Sequence, residues 1–393
     1  MKKHFIPQIL YALCLGVFLT FGCKDSSTGN SEDPEGLDQE FLIENEIGDW
    51  KTKVKDVVQT NDGIVIIGAY REESGGCSDN LYLAKINDEG EQVWLKKFDD
   101  LKVSSCNAIQ LQQTVTNGFI AFATTPSGSS SIENDYFIMK FTTAGDLMWT
   151  KRSGQNDIFW QLHGLETRTG ELVAYTISSS SLQSSSNDRL KLTFNQNGTL
   201  LSEESNNDYD GELDEIIQTP DNKYIFNIRN ESGSSLIIKD RNLNTLASSR
   251  IDDQRISYVN EVQESNSGYI AQTSTSVLKL DSEFNIEWRH NISNETNERG
   301  DSGLINGNNI IEIGDGFYGF IEREPHNVED DNLVSYGKQY LTILNSSGEV
   351  TNTQEVGGGG EFFLATTQDQ NVIVISRDLG LKIQAFRTTD IIK

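Results

Sequence analysis

The stretch 79-DNLYLAKINDEGEQVW-94 reads as an apolar strand, a polar turn with a glycine, and a second strand closed by tryptophan. The chain repeats it as 134-NDYFIMKFTTAGDLMW-149 and again from Lys279 to Trp288. Degenerate copies, 193-TFNQNGTLLS-202, 239-KDRNLNTLAS-248 and 343-ILNSSGEVTN-352, put Ser202, Ser248 and Asn352 at the tryptophan place. A second element precedes each copy: a turn with Gly, Asp or Asn, then alternating apolar residues. It occurs seven times: 61-NDGIVIIGAY-70, 116-TNGFIAFATT-125, 169-TGELVAYT-176, 221-DNKYIFNI-228, 266-NSGYIAQT-273, 315-DGFYGFIE-322 and 369-DQNVIVIS-376. From Gly63 to Gln370 the step averages about 51 residues.

Each unit therefore holds about four short strands, with the period of two that strands require. No stretch after the N-terminal segment shows a convincing helical period. Repeats of this length and strand content predict a β-propeller, because a lone four-stranded blade cannot bury both faces. The seventh unit, from Phe362, has three strands before the chain stops at Lys393. The segment 40-EFLIENEIG-48 reads as its missing outer strand, so the ring closes without an open sheet edge. The expected fold is all-β: a seven-bladed β-propeller of four-stranded antiparallel blades over 40–393.

The N-terminus is MKKH, then an apolar run from Phe5 to Phe21, then Gly22-Cys23. A basic start, an apolar middle and a small residue at the boundary predict a signal peptide over 1–22. The run, interrupted by Pro7 and Gln8, falls short of a spanning helix. Cys23 after a small residue resembles the bacterial lipobox and implies lipidation of Cys23. Thr20 and Phe21 stand where that pattern has leucine and a small residue, a looseness that Bacteroidota-type bacteria tolerate. Residues 23–39 are polar, acidic and free of aromatics, so they read as a flexible tether. About sixteen such residues reach roughly 20–25 Å. Lys24-Asp25 resembles the acidic tags of surface-exported lipoproteins.

The chain has 32 basic and 59 acidic residues, a net charge of −27. That balance repels phosphate backbones and anionic lipid, so it excludes nucleic-acid partners and leaves membrane contact to the anchor. Of four cysteines, Cys14 leaves with the signal and Cys23 carries lipid. Cys77 and Cys106 remain as an even pair in an exported chain, which predicts a disulfide. In a propeller they fall on loops of one face in adjacent blades, and the bond stabilises by roughly 3–4 kcal/mol. Two free thiols are the alternative.

The repeat resembles the Asp-Gly-Gly-Tyr and Lys-Leu-Asp-x-x-Gly-x-x-x-Trp propeller repeats of Bacteroidota-type lipoproteins. More distantly it is similar to quinoprotein-like propellers, whose blades end in Thr-Gly-x-x-x-Trp. The resemblance covers 40–393. It implies an outer-membrane lipoprotein facing the periplasm or the cell surface, and it leaves the function open because propellers host many.

Counting back from the turns places a polar residue at the start of the innermost strand in six blades: Asp56, Asn107, His163, Asp214, Asn260 and Asn309. Ligands of propellers usually bind at this channel mouth, which makes the ring the candidate site. Polar strands lining a water-filled channel explain it equally well. In 206-NNDYDGELDE-215, Asn206, Asp208, Asp210 and Gly211 match the first places of a calcium loop. Ile217 stands where the bidentate glutamate belongs, so a solvated acidic turn competes with Ca2+ and no other cofactor is expected. Trp94, Trp149 and Trp288 recur at one repeat position and read as packing residues, whereas Trp50 and Trp160 are candidates for stacking on a glycan.

The 300-GDSG-303 stretch lacks the proline-flanked continuation of a protease, and Gly357 to Gly360 lacks the Lys-Ser/Thr of a phosphate loop. Three histidines after the signal, His163, His290 and His326, lie in different blades and support no metal triad. The expected function is a lipid-anchored protein-interaction or scaffold module of the cell envelope, partnered by an envelope protein. The alternative is a glycan- or small-ligand-binding propeller using the channel mouth; a hydrolase or lyase ranks third.

Overall fold

The computed structural model describes residues 41–42, 52–70, 78–104, 109–126, 134–153, 158–179, 188–206, 209, 211–219, 223–230, 233–251, 259–265, 267–273, 276–292, 310–314, 316–323, 338–357, 361–367, 371–377 and 381–392. All belong to one compact unit, Leu37–Lys393.

The chain opens with β1 (Phe41–Leu42). Blade 1 follows as β2 (Thr52–Thr60), β3 (Gly63–Tyr70), β4 (Ser78–Ile86) and β5 (Gln92–Ser104). Blade 2 is β6 (Gln110–Gln113), β7 (Phe119–Pro126), β8 (Asn134–Phe141) and β9 (Leu147–Arg152). Blade 3 is β10 (Ile158–Glu166), β11 (Leu172–Ser179), β12 (Asp188–Phe194) and β13 (Leu200–Ser205). Blade 4 is β14 (Glu212–Gln218), β15 (Tyr224–Asn230), β16 (Gly233–Lys239) and β17 (Thr245–Ile251). Blade 5 is β18 (Val259–Ser265), β19 (Gly268–Thr273), β20 (Ser276–Leu280) and β21 (Ile286–Asn291). Blade 6 is β22 (Ile310–Gly314), β23 (Phe317–Arg323), β24 (Gln339–Leu344) and β25 (Val350–Gly357). Blade 7 is β26 (Glu361–Thr366), β27 (Val372–Arg377) and β28 (Leu381–Phe386), followed by a short helix, α1 (Thr388–Ile391).

Each blade is an antiparallel four-stranded meander, and the seventh takes β1 as its outer strand, in the order β1-β28-β27-β26. Phe41 pairs with Ile383 and Leu42 with Lys382. This is the closure expected from 40–48; residues 43–48 lie outside the described part. The first strands of neighbouring blades pack on one another around the ring, with β26 returning to β2. The seven-bladed propeller is therefore closed.

The core sits between blades. Along β3 every residue is buried, and alternate side chains enter different clusters. Ile64 and Ile66 pack with Phe363, Ile373 and Ile375 of blade 7, while Val65, Ile67 and Ala69 pack with Phe119, Ala121 and Phe137 of blade 2. Seven such clusters occur, one per junction, so every blade buries both faces. This is why the second strands read as near-continuous apolar runs.

The glycine of the repeat closes the turn between the third and outer strands. In blade 1 Asn87 Oδ1 accepts the Glu89 and Glu91 N–H groups at 3.1 and 2.7 Å, and Gly90 takes φ 85°. Asn195, Asp240, Asp281 and Asn345 make the same pair of bonds. These side chains supply the turn that their own backbone then follows.

The pairing register corrects one repeat position. Trp94 pairs with Lys85, Trp149 with Lys140, Trp288 with Lys279, and in blade 4 Ala247 pairs with Ile238. Ala247, not Ser248, thus holds the tryptophan place. The blade-4 turn begins one residue after Lys239, so aligning on the lysine shifts the copy by one. The α1 helix is an addition to the expected fold. Its Ile391 is buried in the blade 6–7 cluster, and its Ile391 carbonyl accepts Asn352 Nδ2 at 2.9 Å.

Candidate functional site

The innermost strands do not run as unbroken ladders. Bulges interrupt β2 between Val54 and Asp56, β10 between Phe159 and Leu162, β14 between Leu213 and Glu215, and β18 between Val259 and Glu261. The extra residues are Lys55, Trp160 with Gln161, Asp214 and Asn260. Counting back from the turns lands on the bulge in blades 4 and 5 and stops short of it in blades 1 and 3. Asp214 and Asn260 are therefore equivalent, and Asp56 and His163 occupy other places. Asn107 and Asn309 lie outside the described residues.

Asp56 joins two blades. One carboxylate oxygen accepts the Val57 N–H at 2.7 Å, and the other accepts the Leu111 N–H of blade 2 at 2.7 Å. Sequence reading missed the residues that continue this stitching. Gln110 Oε1 accepts the Gly164 N–H of blade 3 at 2.8 Å, and its Nε2 donates to the Ile216 carbonyl of blade 4. Gln112 Nε2 donates to the Gly164 carbonyl at 2.7 Å. Gly164 is small because a Cβ there would stand 2.1 Å from the Phe122 ring. Glu166 accepts the Val115 N–H at 2.7 Å and pairs with Lys140 at 3.1 Å, and Tyr224 donates its hydroxyl to the Glu166 carbonyl. Lys140 and Glu166 are both buried, and such pairs persist only where further hydrogen bonds satisfy them. Nothing in the repeat marks these glutamines; only the polar identity of alternate inner-strand residues hints at them.

His163 is 5% exposed and directly opposite Tyr175, which belongs to the blade 3–4 cluster. Burial pushes its imidazole down to about 4, so the ring is neutral at pH 7. Its Nδ1 has no hydrogen-bond partner among the described residues. Asp214 lies 3.1 Å from Arg229, which also holds Glu212 at 3.0 Å. Burial pushes the Asp214 carboxyl up to about 6; Arg229 opposes that rise and Glu212 adds to it. Blade 4 thus carries a half-sheltered acid able to exchange a proton near neutrality.

In the acidic loop after blade 3, Asn206 is buried and its N–H donates to the Arg189 carbonyl at 2.8 Å. Arg189 Nη1 donates to the Tyr209 carbonyl at 3.0 Å, which brings a guanidinium to this loop. Asp208 and Asp210 lie outside the described residues, as do Cys23, Cys77, Cys106, Trp50 and the 300–303 stretch. The Trp160 backbone belongs to the β10 bulge, and its side chain lies outside the description. Among the described residues no helix is long and apolar enough to cross a membrane.

The repeated tryptophans pack across blade boundaries. Trp94 lies over Gly145 of the blade-2 turn, 2.7 Å from where a Cβ would stand. Trp149 covers Gly198 of blade 3 at 2.8 Å, and Trp288 covers Gly348 of blade 6 at 2.7 Å. The outer strands also expose Val93, Met148, Leu201 and Leu246, at the place just before the tryptophan position in four consecutive blades.

No family model matches the chain, and no curated protein does. Among solved structures it is similar to the WD40 domain of Neurospora crassa Pan2, with TM-score 0.50, 9% identity, and coverage of 87% of this chain and 91% of that one. It also matches a protein of unknown function from Bacteroides caccae, with TM-score 0.37, 13% identity, and coverage of 75% and 94%. BBS1N, solved in complex with ARL6DN, matches with TM-score 0.45, 8% identity, and coverage of 86% and 94%. At 9% identity the likeness to the Pan2 domain is one of fold.

Proposed function

We propose that the chain is a lipid-anchored propeller of the cell envelope, held in the outer membrane through Cys23 and working as a protein-interaction module. The observation that carries this reading is a contrast between the two edges of the blades. Polar groups of the inner strands are engaged in blade-to-blade bonds: Asp56, Gln110, Gln112 and Glu166 each hold a neighbouring blade. The outer strands leave aliphatic side chains in solvent at one repeat position. Exposed apolar groups gathered on one region mark a contact surface. The test is a crosslinked pull-down of the tagged full-length protein from its own membranes, identified by mass spectrometry. Stoichiometric recovery of one or two envelope proteins supports the reading; recovery of nothing above background overturns it. Metabolic labelling with a fatty acid, lost in Cys23→Ser, tests the anchor separately.

A second reading is favoured by one observation, the half-sheltered Asp214 on the blade-4 bulge, 3.1 Å from Arg229, whose burial pushes its carboxyl up to about 6. It places a glycan or small ligand at the channel mouth, with Trp50 or Trp160 stacking on it, and calcium in the 206–210 loop. Thermal shift against calcium, chelator and oligosaccharides tests it, because a ligand that binds only the folded state raises the midpoint.

A further inference from the structure

The large apolar side chains left in solvent stand at one end of the blades. Among the described residues nine are exposed, and all nine lie at the end where the first-to-second and third-to-outer turns are made. Five of them, Val115, Leu147, Met148, Leu200 and Leu201, belong to blades 2 and 3. The two pairs that open β9 and β13 are neighbours, because β9 overhangs the blade-3 turn: Lys151 Cγ lies 2.8 Å from a Cβ built on Gly198. Met148 and Leu201 are more than half exposed and belong to none of the seven clusters, so packing does not explain them.

Charge is balanced in this sector. Lys96 holds Asp146 at 2.8 Å. Lys151 and Arg152 on β9 match Glu203 and Glu204 on β13 in number, and Arg168 matches Glu171 in the inner turn of blade 3. The turn residues 115-VTN-117 and 195-NQNGT-199 carry no charge. Blades 2 and 3 thus present a near-neutral end in a chain of net charge −27. The turns of blades 1, 5 and 6 differ, with Glu89, Glu91, Glu283 and Glu349 exposed.

The direction of β1 relates this end to the anchor. Phe41 pairs with Ile383 and Leu42 with Lys382, antiparallel to β28. As a third strand, β28 runs toward the turn end, so β1 runs away from it, and the chain toward Cys23 continues from the turn-end side of Phe41. Cys23 precedes Phe41 by eighteen residues, and a flexible chain of that length spans roughly 20–25 Å. A lipid on Cys23 therefore biases the turn end toward the membrane.

We propose that the turn end of blades 2 and 3 seats on an integral protein of the same membrane, one that raises an uncharged aliphatic surface above the lipid. The proposal rests on the anchor and interaction reading above and adds the docking surface and the class of partner. Aliphatic contact supplies the attraction, and a neutral sector is where a strongly acidic molecule is approached without repulsion. Lipid is the poorer occupant, because the exposed glutamates of the neighbouring turns would have to enter it with the apolar residues. Two copies anchored in one bilayer hold these ends side by side, so they do not meet face to face.

The experiment places a photo-crosslinking residue at Met148 or Leu201, and at Arg152 or Ser205 toward the other end of the same strands, in the full-length protein in its own membranes. The expected result is one protein captured from 148 and 201, not from 152 or 205, and kept in the membrane pellet after carbonate washing. Met148→Gln with Leu201→Gln lowers recovery of that protein in the pull-down about tenfold, as loss of a central contact does. The thermal midpoint of the double variant stays within a degree or two of the parent, which separates lost docking from lost folding. A protein recovered by the pull-down but not captured from 148 or 201 overturns the proposal and leaves the interaction reading standing. Recovery of nothing by either route overturns both. Capture of a protein that the wash releases overturns the proposal in favour of a soluble partner. Phospholipid adducts at 148 and 201 overturn it in favour of the bilayer, and crosslinks to a second copy overturn it in favour of self-association.

Discussion

Two blade junctions solve one packing problem in opposite ways. At the junction of blades 2 and 3, Trp149 lies over Gly198, which takes φ 73°. At the junction of blades 4 and 5 the tryptophan place holds Ala247, and the turn position opposite holds Phe284 at φ 65°. Phe284 is buried, stacks on Tyr269 with ring centroids 4.7 Å apart, and joins the cluster that Ala247 packs against. Blades 3 and 4 repeat the exchange, with Ser202 at the tryptophan place and Leu243 at φ 65° in the turn. The large side chain comes from the blade before or from the blade after, and the volume between them is filled either way. A left-handed conformation is uncommon for a leucine or phenylalanine and costs roughly 1–2 kcal/mol, so burial must outweigh it. The lesson is that the repeat unit of packing straddles two repeats of sequence.

That comparison is breakable, beginning with its largest effect. Phe284→Ala should lower stability by about 3–4 kcal/mol, read from the denaturant midpoint. Ala247→Trp combined with Phe284→Gly should recover part of the loss, as a rebuilt copy of the blade 2–3 junction. Additive losses in that double variant would show that the two arrangements are not interchangeable.

Gly198→Val comes next, at about 2–4 kcal/mol, because it combines a strained φ with collision against Trp149. Trp149→Ser in the same chain should relieve about 1–2 kcal/mol of that through coupling between touching residues.

A third prediction sharpens the contrast by pH. His163 faces junction 3–4, and its folded pKa of about 4 lies below the ordinary 6.5. Its contribution is present above pH 6.5 and lost as pH falls toward 4, up to roughly 3 kcal/mol. Asp214 has the opposite sign: its folded value of about 6 exceeds 3.8, so its contribution is present below pH 3.8 and lost as pH rises through 6. Partial solvent access holds that effect to about 1–2 kcal/mol. His163→Leu should flatten the acid limb of a stability–pH curve, and Asp214→Asn should raise stability at pH 7.5 relative to pH 4. Parallel curves for parent and variants would refute both assignments.

The smallest effect belongs to the rim. Leu201→Gln should change the unfolding midpoint by no more than about 0.5 kcal/mol, since the side chain is mostly in solvent.

The architecture was legible because its signals recur. Seven alternating runs and the Asn/Asp-to-Gly turn spacing pointed to blade number and strand order, and Phe41–Leu42 of the expected segment form the closing strand. The inner edge was not legible. A bulge adds a residue without changing composition, so counting did not show that Asp214 and Asn260 are inserted residues whereas Asp56 and His163 lie on the paired ladder between bulge and turn. Nor do Gln110 and Glu166 announce themselves, because their partners are backbone groups in other blades, more than fifty residues away in sequence. Blade 4 shows the same limit in small: the lysine suggested Ser248, and only strand pairing identified Ala247.

The β1–β28 pairing has a consequence for how the molecule is made. Phe41 leaves the ribosome among the first residues of the propeller and meets Ile383, which leaves among the last. Until then β1 has no partner strand, and Ile383 is missing from the cluster that joins Ile64 to Phe363 and Ile373. Forming a contact over so long a span carries a high entropic barrier, so the final closure should be slow. The seam thus ties the two ends of the propeller together, and a chain lacking β28 would leave β1 and the free edge of β27 unpaired.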